Sequence, residues 1–169
     1  MIGFIYKIYV KIRQKFFSYP IRKKAVSVGK NLKVNHKCII NNKTFLGNNV
    51  NFNGMKIYGN GKVTIGDNFH SGPGCKMITS NHNYDSGTEI PYGTDYIDKD
   101  IIINDNVWLG CDVIILGGVT IGEGAIIQAG SVVVKDIPEC AIAGGNPANV
   151  FKYRDTNHYY ELKKAGRYH

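Results

Sequence analysis

The side chains best suited to proton transfer, nucleophilic attack or metal binding in this 169-residue chain are five histidines and four cysteines. Of His36, His70, His82, His158 and His169, one stands apart by position. His82 sits in ITSNHNYD, where a regular pattern ending at Met77 gives way to a stretch marked by Gly87, Pro91 and Gly93. An imidazole at the edge of a repeat and beneath a loop can take a proton from an attacking hydroxyl. A lone histidine is, however, more often structural than catalytic. Its second ring nitrogen needs an orienting partner; Asp85 and Glu89 are the nearest acids, and a backbone carbonyl would serve equally. Cys38, Cys75, Cys111 and Cys140 are spaced 37, 36 and 29 apart with no CxxC. They predict small buried residues in a reducing compartment, neither a zinc knuckle nor a disulfide scaffold. No closely spaced histidine pair exists, His70 and His82 being twelve apart, so no metal is expected.

The elements that must position these residues follow a six-residue period. From Ile103 the chain reads INDNVW, LGCDVI, ILGGVT, IGEGAI, IQAGSV, VVKDIP, placing an aliphatic residue at 103, 109, 115, 121, 127 and 133. The fifth position of each unit is small or β-branched. The same period runs through Val28, Val34, Ile40, Leu46 and Phe52 and resumes at Ile65, Ser71 and Met77. The step from Phe52 to Ile65 is thirteen, so one extra residue must be absorbed within Gly54 to Gly61. Residues 83 to 102 hold no clean repeat and predict a protruding loop, of a length that is usually functional. Two inward positions per six residues, with Gly and Asn between, describe short strands joined by tight turns. The prediction is an all-β chain, a parallel β-helix with three hexapeptides to each triangular coil.

These stretches carry a family resemblance. The hexapeptide run, the loop after SNHNYD, VWLG at 107 to 110, GVTIGEGAIIQAGSVVVKDIP and AIAGGNPANVFKYR together resemble the left-handed β-helix acyltransferases. More narrowly they are similar to the galactoside, maltose and xenobiotic acetyltransferases and the bacterial polysaccharide O-acetyltransferases. The resemblance spans residues 28 to 154 and implies acetyl-CoA as co-substrate and a homotrimer. It implies that His82 is the general base, deprotonating a sugar hydroxyl as it attacks the thioester; Asp85 stays the candidate orienting acid on sequence proximity alone. Matching residue by residue, it implies coenzyme A contacts at Cys111, Ala129, Val134, Lys135 and Lys152, with backbone groups near Ala129 and Gly130 facing the pantetheine. Trp108 is implied as a site wall, with core packing as its other reading, and Asn53, Asn60 and Tyr84 as acceptor contacts. Three departures matter: Asn83 and Tyr84 stand where the galactoside group has a proline, Val134 lacks the usual hydroxyl, and Asn149 replaces a frequent arginine.

The net charge of +8 invites a nucleic-acid reading, which its distribution removes. Residues 1–24 carry +7, residues 25–151 carry −2 and residues 152–169 carry +3. The expected organisation is a basic amphipathic segment at 1–24, a β-helix domain at 25–150 and a C-terminal tail or helix at 151–169. The first segment predicts a helix that caps the open end of the β-helix or rests on an anionic membrane surface. It has no apolar span long enough to cross a membrane and no signal-peptide pattern. The function expected is sugar O-acetylation in bacterial surface-polysaccharide assembly, cytoplasmic and at the inner membrane face. N-acetylation of a nucleotide-linked amino sugar, xenobiotic acetylation and a non-enzymatic binding subunit are the alternatives.

Overall fold

A computed structural model describes residues 2–169. The chain begins with helix α1 (Ile2–Lys24) and then winds through three parallel sheets that form the faces of a prism. The first sheet holds β1 (Ser27–Val28), β3 (Thr44–Leu46), β6 (Val63–Ile65), β11 (Ile101–Ile103) and β14 (Thr120–Ile121). The second holds β2 (Lys33–His36), β4 (Asn51–Asn53), β7 (His70–Ser71), β12 (Trp108–Leu109), β15 (Ile126–Ile127), β17 (Ala141–Gly145) and β18 (Ala148–Tyr153), the last antiparallel. The third holds β5 (Lys56–Tyr58), β8 (Lys76–Ile78), β13 (Ile114–Leu116) and β16 (Val132–Val133). A two-stranded hairpin, β9 (Ser80–His82) and β10 (Tyr96–Asp98), leaves the prism between the third and first sheets, and α2 (Thr156–Lys164) closes the chain. Met1 of the segment expected at 1–24 lies outside the described residues, and the expected boundary at 150 falls inside β18.

The register reproduces the hexapeptide arithmetic. Val34 pairs with Phe52 and Trp108 with Ile126, each 18 residues on, whereas His70 pairs with Trp108 across 38 residues because the hairpin intervenes. Leu46, Ile65, Ile103 and Ile121 stack inward from the first sheet, Phe52, Leu109 and Ile127 from the second, and Ile57, Met77, Ile115 and Val133 from the third, all buried. Phe52 meets Phe69 edge-on at 5.9 Å. The extra residue between Phe52 and Ile65 is a net one: the inward step from Phe52 to Ile57 is five and that from Ile57 to Ile65 is eight, the gain lying in the turn after β5, where Gly59 takes φ +88 and a side chain would strike Ser80.

Two expectations are corrected. The loop does not extend to 102: Ile101 is fully buried and pairs with Val63, because its aliphatic side chain rejoins the core as soon as the hairpin closes. The cysteines are not uniformly buried: Cys75 and Cys140 are, Cys38 is half-buried and Cys111 is exposed, since it occupies a turn rather than an inward position. Burial pushes the Cys75 thiol up to about 11.

The edge from the first sheet to the second is built on asparagine. Asn31, Asn49, Asn68 and Asn106 all adopt φ between +55 and +60, a region that asparagine tolerates and most side chains do not. Their carboxamides form a ladder: Asn31 Nδ2 donates to Asn49 Oδ1 at 3.0 Å, Asn49 to Asn68 at 2.8 Å and Asn68 to Asn106 at 2.9 Å.

Candidate active site

His82 ends β9 and lies opposite Tyr96 of β10. The hairpin that presents it is held by the Asn83 amide donating to the Asp95 carbonyl at 3.0 Å, the Gly93 amide donating to the Asn83 carbonyl at 3.0 Å, and a Ser80 hydroxyl bond to the Asp98 carboxylate. The imidazole is half-buried and packs on two rings, Tyr92 at 3.7 Å between centroids and Tyr96 at 4.4 Å. Its Nδ1 is buried and has no hydrogen-bond partner among the described residues. Asp85 is exposed in the loop and makes no bond to His82, so the orienting contacts within the chain come from tyrosine faces rather than from that carboxylate. Tyr84 is also exposed, and the ring on His82 is that of Tyr92.

Apart from Lys152 and Trp108, which belong to the second sheet, the remaining expected residues fall on two edges of the third sheet. On the edge that carries the hairpin, the Asn60 amide donates to Ser80 Oγ at 2.8 Å, and Val134 and Lys135 follow β16 at the same edge, both exposed. On the opposite edge Cys111 and Ala129 stand one above the other, 18 residues apart, with the Gly130 amide donating to the Cys111 carbonyl at 2.8 Å. Gly130 takes φ +72 and has open space where a side chain would lie. Asn53 is on this edge too, but both ends of its carboxamide are occupied: Nδ2 donates to the Ser71 carbonyl at 2.6 Å, and Oδ1 accepts from Asn35 at 2.8 Å. Lys152 projects from β18, exposed. One chain therefore does not gather His82 and the Cys111–Ala129 edge around a common cleft; the width of the third sheet separates them.

Trp108 is exposed on the outer face of the second sheet and so is not core. It lines a cavity of about 410 Å³ with Lys33, Asn51 and His70, roofed by Lys163 of α2 and by Arg167. Burial, His169 and Lys33 hold the His70 imidazole below its ordinary value. Below this cavity Glu123 accepts from Lys163 Nζ at 2.5 Å and from the Tyr159 hydroxyl at 2.8 Å, which ties α2 to the prism. Burial works against the ionised Glu123 carboxyl, but these bonds hold it below the usual carboxylate range. Among the described residues, no three His, Cys, Asp or Glu gather closely enough to hold a metal.

Neither this cavity nor the tyrosine stack on His82 is marked by the hexapeptide pattern. The loop's tyrosines were visible as a composition, and the 38-residue step across the hairpin was the signal that sets His70 beside Trp108.

The bacterial transferase hexapeptide family, of six repeats, matches residues 100–135. A solved galactoside acetyltransferase in complex with coenzyme A superposes with a TM-score of 0.72 at 31% identity, over 83% of this chain and 72% of that one. A maltose O-acetyltransferase from Clostridium difficile superposes with a TM-score of 0.73 at 30% identity, over 87% of this chain and 85% of its own. The chain belongs to the hexapeptide-repeat acetyltransferases. Its fold is the left-handed parallel β-helix of that family. In sequence, the galactoside O-acetyltransferase of Escherichia coli is 36% identical over 118 residues, 68% of this chain and 57% of that protein. The chain spans between 41% and 58% of the length of this and two other relatives it matches. As a hexapeptide-repeat acetyltransferase it departs from the most regular pattern at the long hairpin, which is where His82 stands.

Proposed function

We propose that this chain is an acetyl-CoA-dependent O-acetyltransferase that esterifies a sugar hydroxyl in bacterial surface-polysaccharide assembly, in the cytoplasm, with His82 as general base. The observation that carries the reading is the His82 imidazole, clamped between tyrosine faces on a hairpin at the edge of the repeat. The likeness to a galactoside acetyltransferase solved with coenzyme A supports the donor.

The chemistry is direct transfer. His82 takes the proton of the acceptor hydroxyl as that oxygen attacks the thioester carbonyl; a C–O bond forms, the C–S bond breaks and the thiolate recovers a proton. No acyl-enzyme is required, so Cys111 acts as a small exposed turn residue beside the donor, not as a nucleophile. Ala129 and Gly130 offer backbone groups to the pantetheine, while Lys135 and Lys152 meet the phosphates.

Because the third sheet separates His82 from the Cys111–Ala129 edge, the reading places the donor in a groove between neighbouring copies of a homotrimer, where the edge of one chain faces the hairpin of the next. Asn60 at the hairpin base, Tyr84 in the loop and Trp108 are the acceptor-side candidates whose side chains are unbonded among the described residues, while the Asn53 carboxamide already bonds Asn35 and Ser71.

Thiol release from acetyl-CoA in the presence of an acceptor sugar tests the assignment. His82→Ala should lower turnover by about 10² to 10⁴-fold, the range of a positioned base, with the fold intact by circular dichroism. Unchanged thiol release would remove His82 from the mechanism, and an amide rather than ester product would move the activity to amino sugars.

A further inference from the structure

Helix α1 does more than close the end of the prism. Gln14, Phe17, Ser18 and Ile21 are the side chains it turns inward: Ile21 is 2% exposed, Ser18 is buried and Gln14 Nε2 donates to Asn35 Oδ1 at 2.8 Å. This contact occupies only the second half of the helix.

Away from it runs a continuous apolar line. Ile5, Ile8, Ile12, Phe16 and Tyr19 follow one another in steps of three and four residues, the spacing that keeps side chains on one side of a helix. Ile5 is 61% exposed, Ile12 64% and Phe16 73%. Lys7, Lys11, Lys15 and Arg22 form a basic stripe alongside, and the helix contains no acid. A helix that served only as a cap would carry polar residues on its outward side.

We propose that α1 lies in the plane of an anionic lipid surface, with the Ile5–Tyr19 line sunk among the acyl chains and the lysine stripe at the headgroup phosphates. Charge selects this occupant over a second copy of the chain: two such helices would set seven bases against seven with no carboxylate to pair them. An anionic bilayer supplies both the apolar medium and the opposite charge. No described helix is long and apolar enough to cross a membrane, so the contact is one of lying on the surface. The β-helix packs on a different side of α1, through Phe17, Ser18 and Ile21, so the apolar line stays open to lipid. The contact stands independently of acetyl transfer.

Flotation of the full chain with vesicles tests the inference. The chain should float with vesicles of equal parts phosphatidylcholine and phosphatidylglycerol and remain at the bottom with phosphatidylcholine alone. Ile12→Asp with Phe16→Asp, both outward, should abolish flotation without changing the unfolding temperature. Lys7→Gln, Lys11→Gln and Lys15→Gln should each weaken it about fivefold. Should the aspartate pair disturb folding, the lysine series alone decides. A chain that stays at the bottom with the anionic vesicles overturns the inference. Equal flotation on phosphatidylcholine alone, or flotation that survives the aspartate pair in a folded protein, does the same. Concentration-dependent self-association abolished by that pair, with no flotation of the original chain, would assign the face to a second copy instead.

Discussion

The imidazole of His82 lies nearly face to face with the ring of Tyr92, their centroids 3.7 Å apart and their planes inclined by 17°. The two residues come from opposite arms of the hairpin excursion, so the ring orientation depends on the loop folding back on itself. A stacked ring fixes the plane of the imidazole without using either nitrogen, and the buried Nδ1 has no hydrogen-bond partner among the described residues.

If Tyr92 positions the base, Tyr92→Ala should lower kcat about ten- to hundredfold, the penalty typical of a misplaced catalytic group, with KM for acetyl-CoA unchanged. Tyr92→Phe keeps the ring face and should retain most of the turnover. Equal losses in both variants would show that the hydroxyl, not the stack, matters.

The asparagine ladder predicts an unusual order of tolerance at position 68. Asn68→Ala places a Cβ-bearing residue without local hydrogen bonding at φ +56 and removes two rungs, at a cost of about 2 to 3 kcal/mol. Asn68→Gly loses the rungs but accepts the backbone, and should melt above the alanine variant. Thermal unfolding of the two side by side checks this; identical melting temperatures would mean that the left-handed backbone carries no cost here.

Glu123 should make the docking of α2 acid-sensitive. Its folded-state carboxyl is held below its ordinary value by Lys163 and Tyr159 against the effect of burial. The stabilisation is thus fully present above the unfolded glutamate pKa of about 4.3 and is lost as pH falls through the lower folded value. Glu123→Gln should cost about 1 kcal/mol at pH 7, or a few degrees in Tm, because the pair is partly exposed. The two proteins should converge in acid below the glutamate range; a gap that stays constant across pH would assign the loss to packing alone.

The fold was legible because the β-helix is close to one-dimensional: each inward residue repeats every six positions, and each coil contacts only its neighbours. Ile103, Leu109, Ile115, Ile121, Ile127 and Val133 are all buried, as their spacing required. His82 was legible for the complementary reason, as a titratable residue at the point where the period breaks. What surrounds it was not, since Tyr92 and Tyr96 reach the imidazole through a loop whose path no period constrains. Asp85 is closer in sequence to His82 than either tyrosine and yet faces solvent.

By itself, the sequence determined the winding, the core and the uneven distribution of charge, because these follow from local spacing and composition. Tertiary structure alone decided three things: which rings pack on the His82 imidazole, that the Asn53 carboxamide bonds its neighbours in the coil, and which side of α1 is left uncovered. Each depends on contacts between residues that are distant in sequence or free in register, and there geometry, not periodicity, selects the partner.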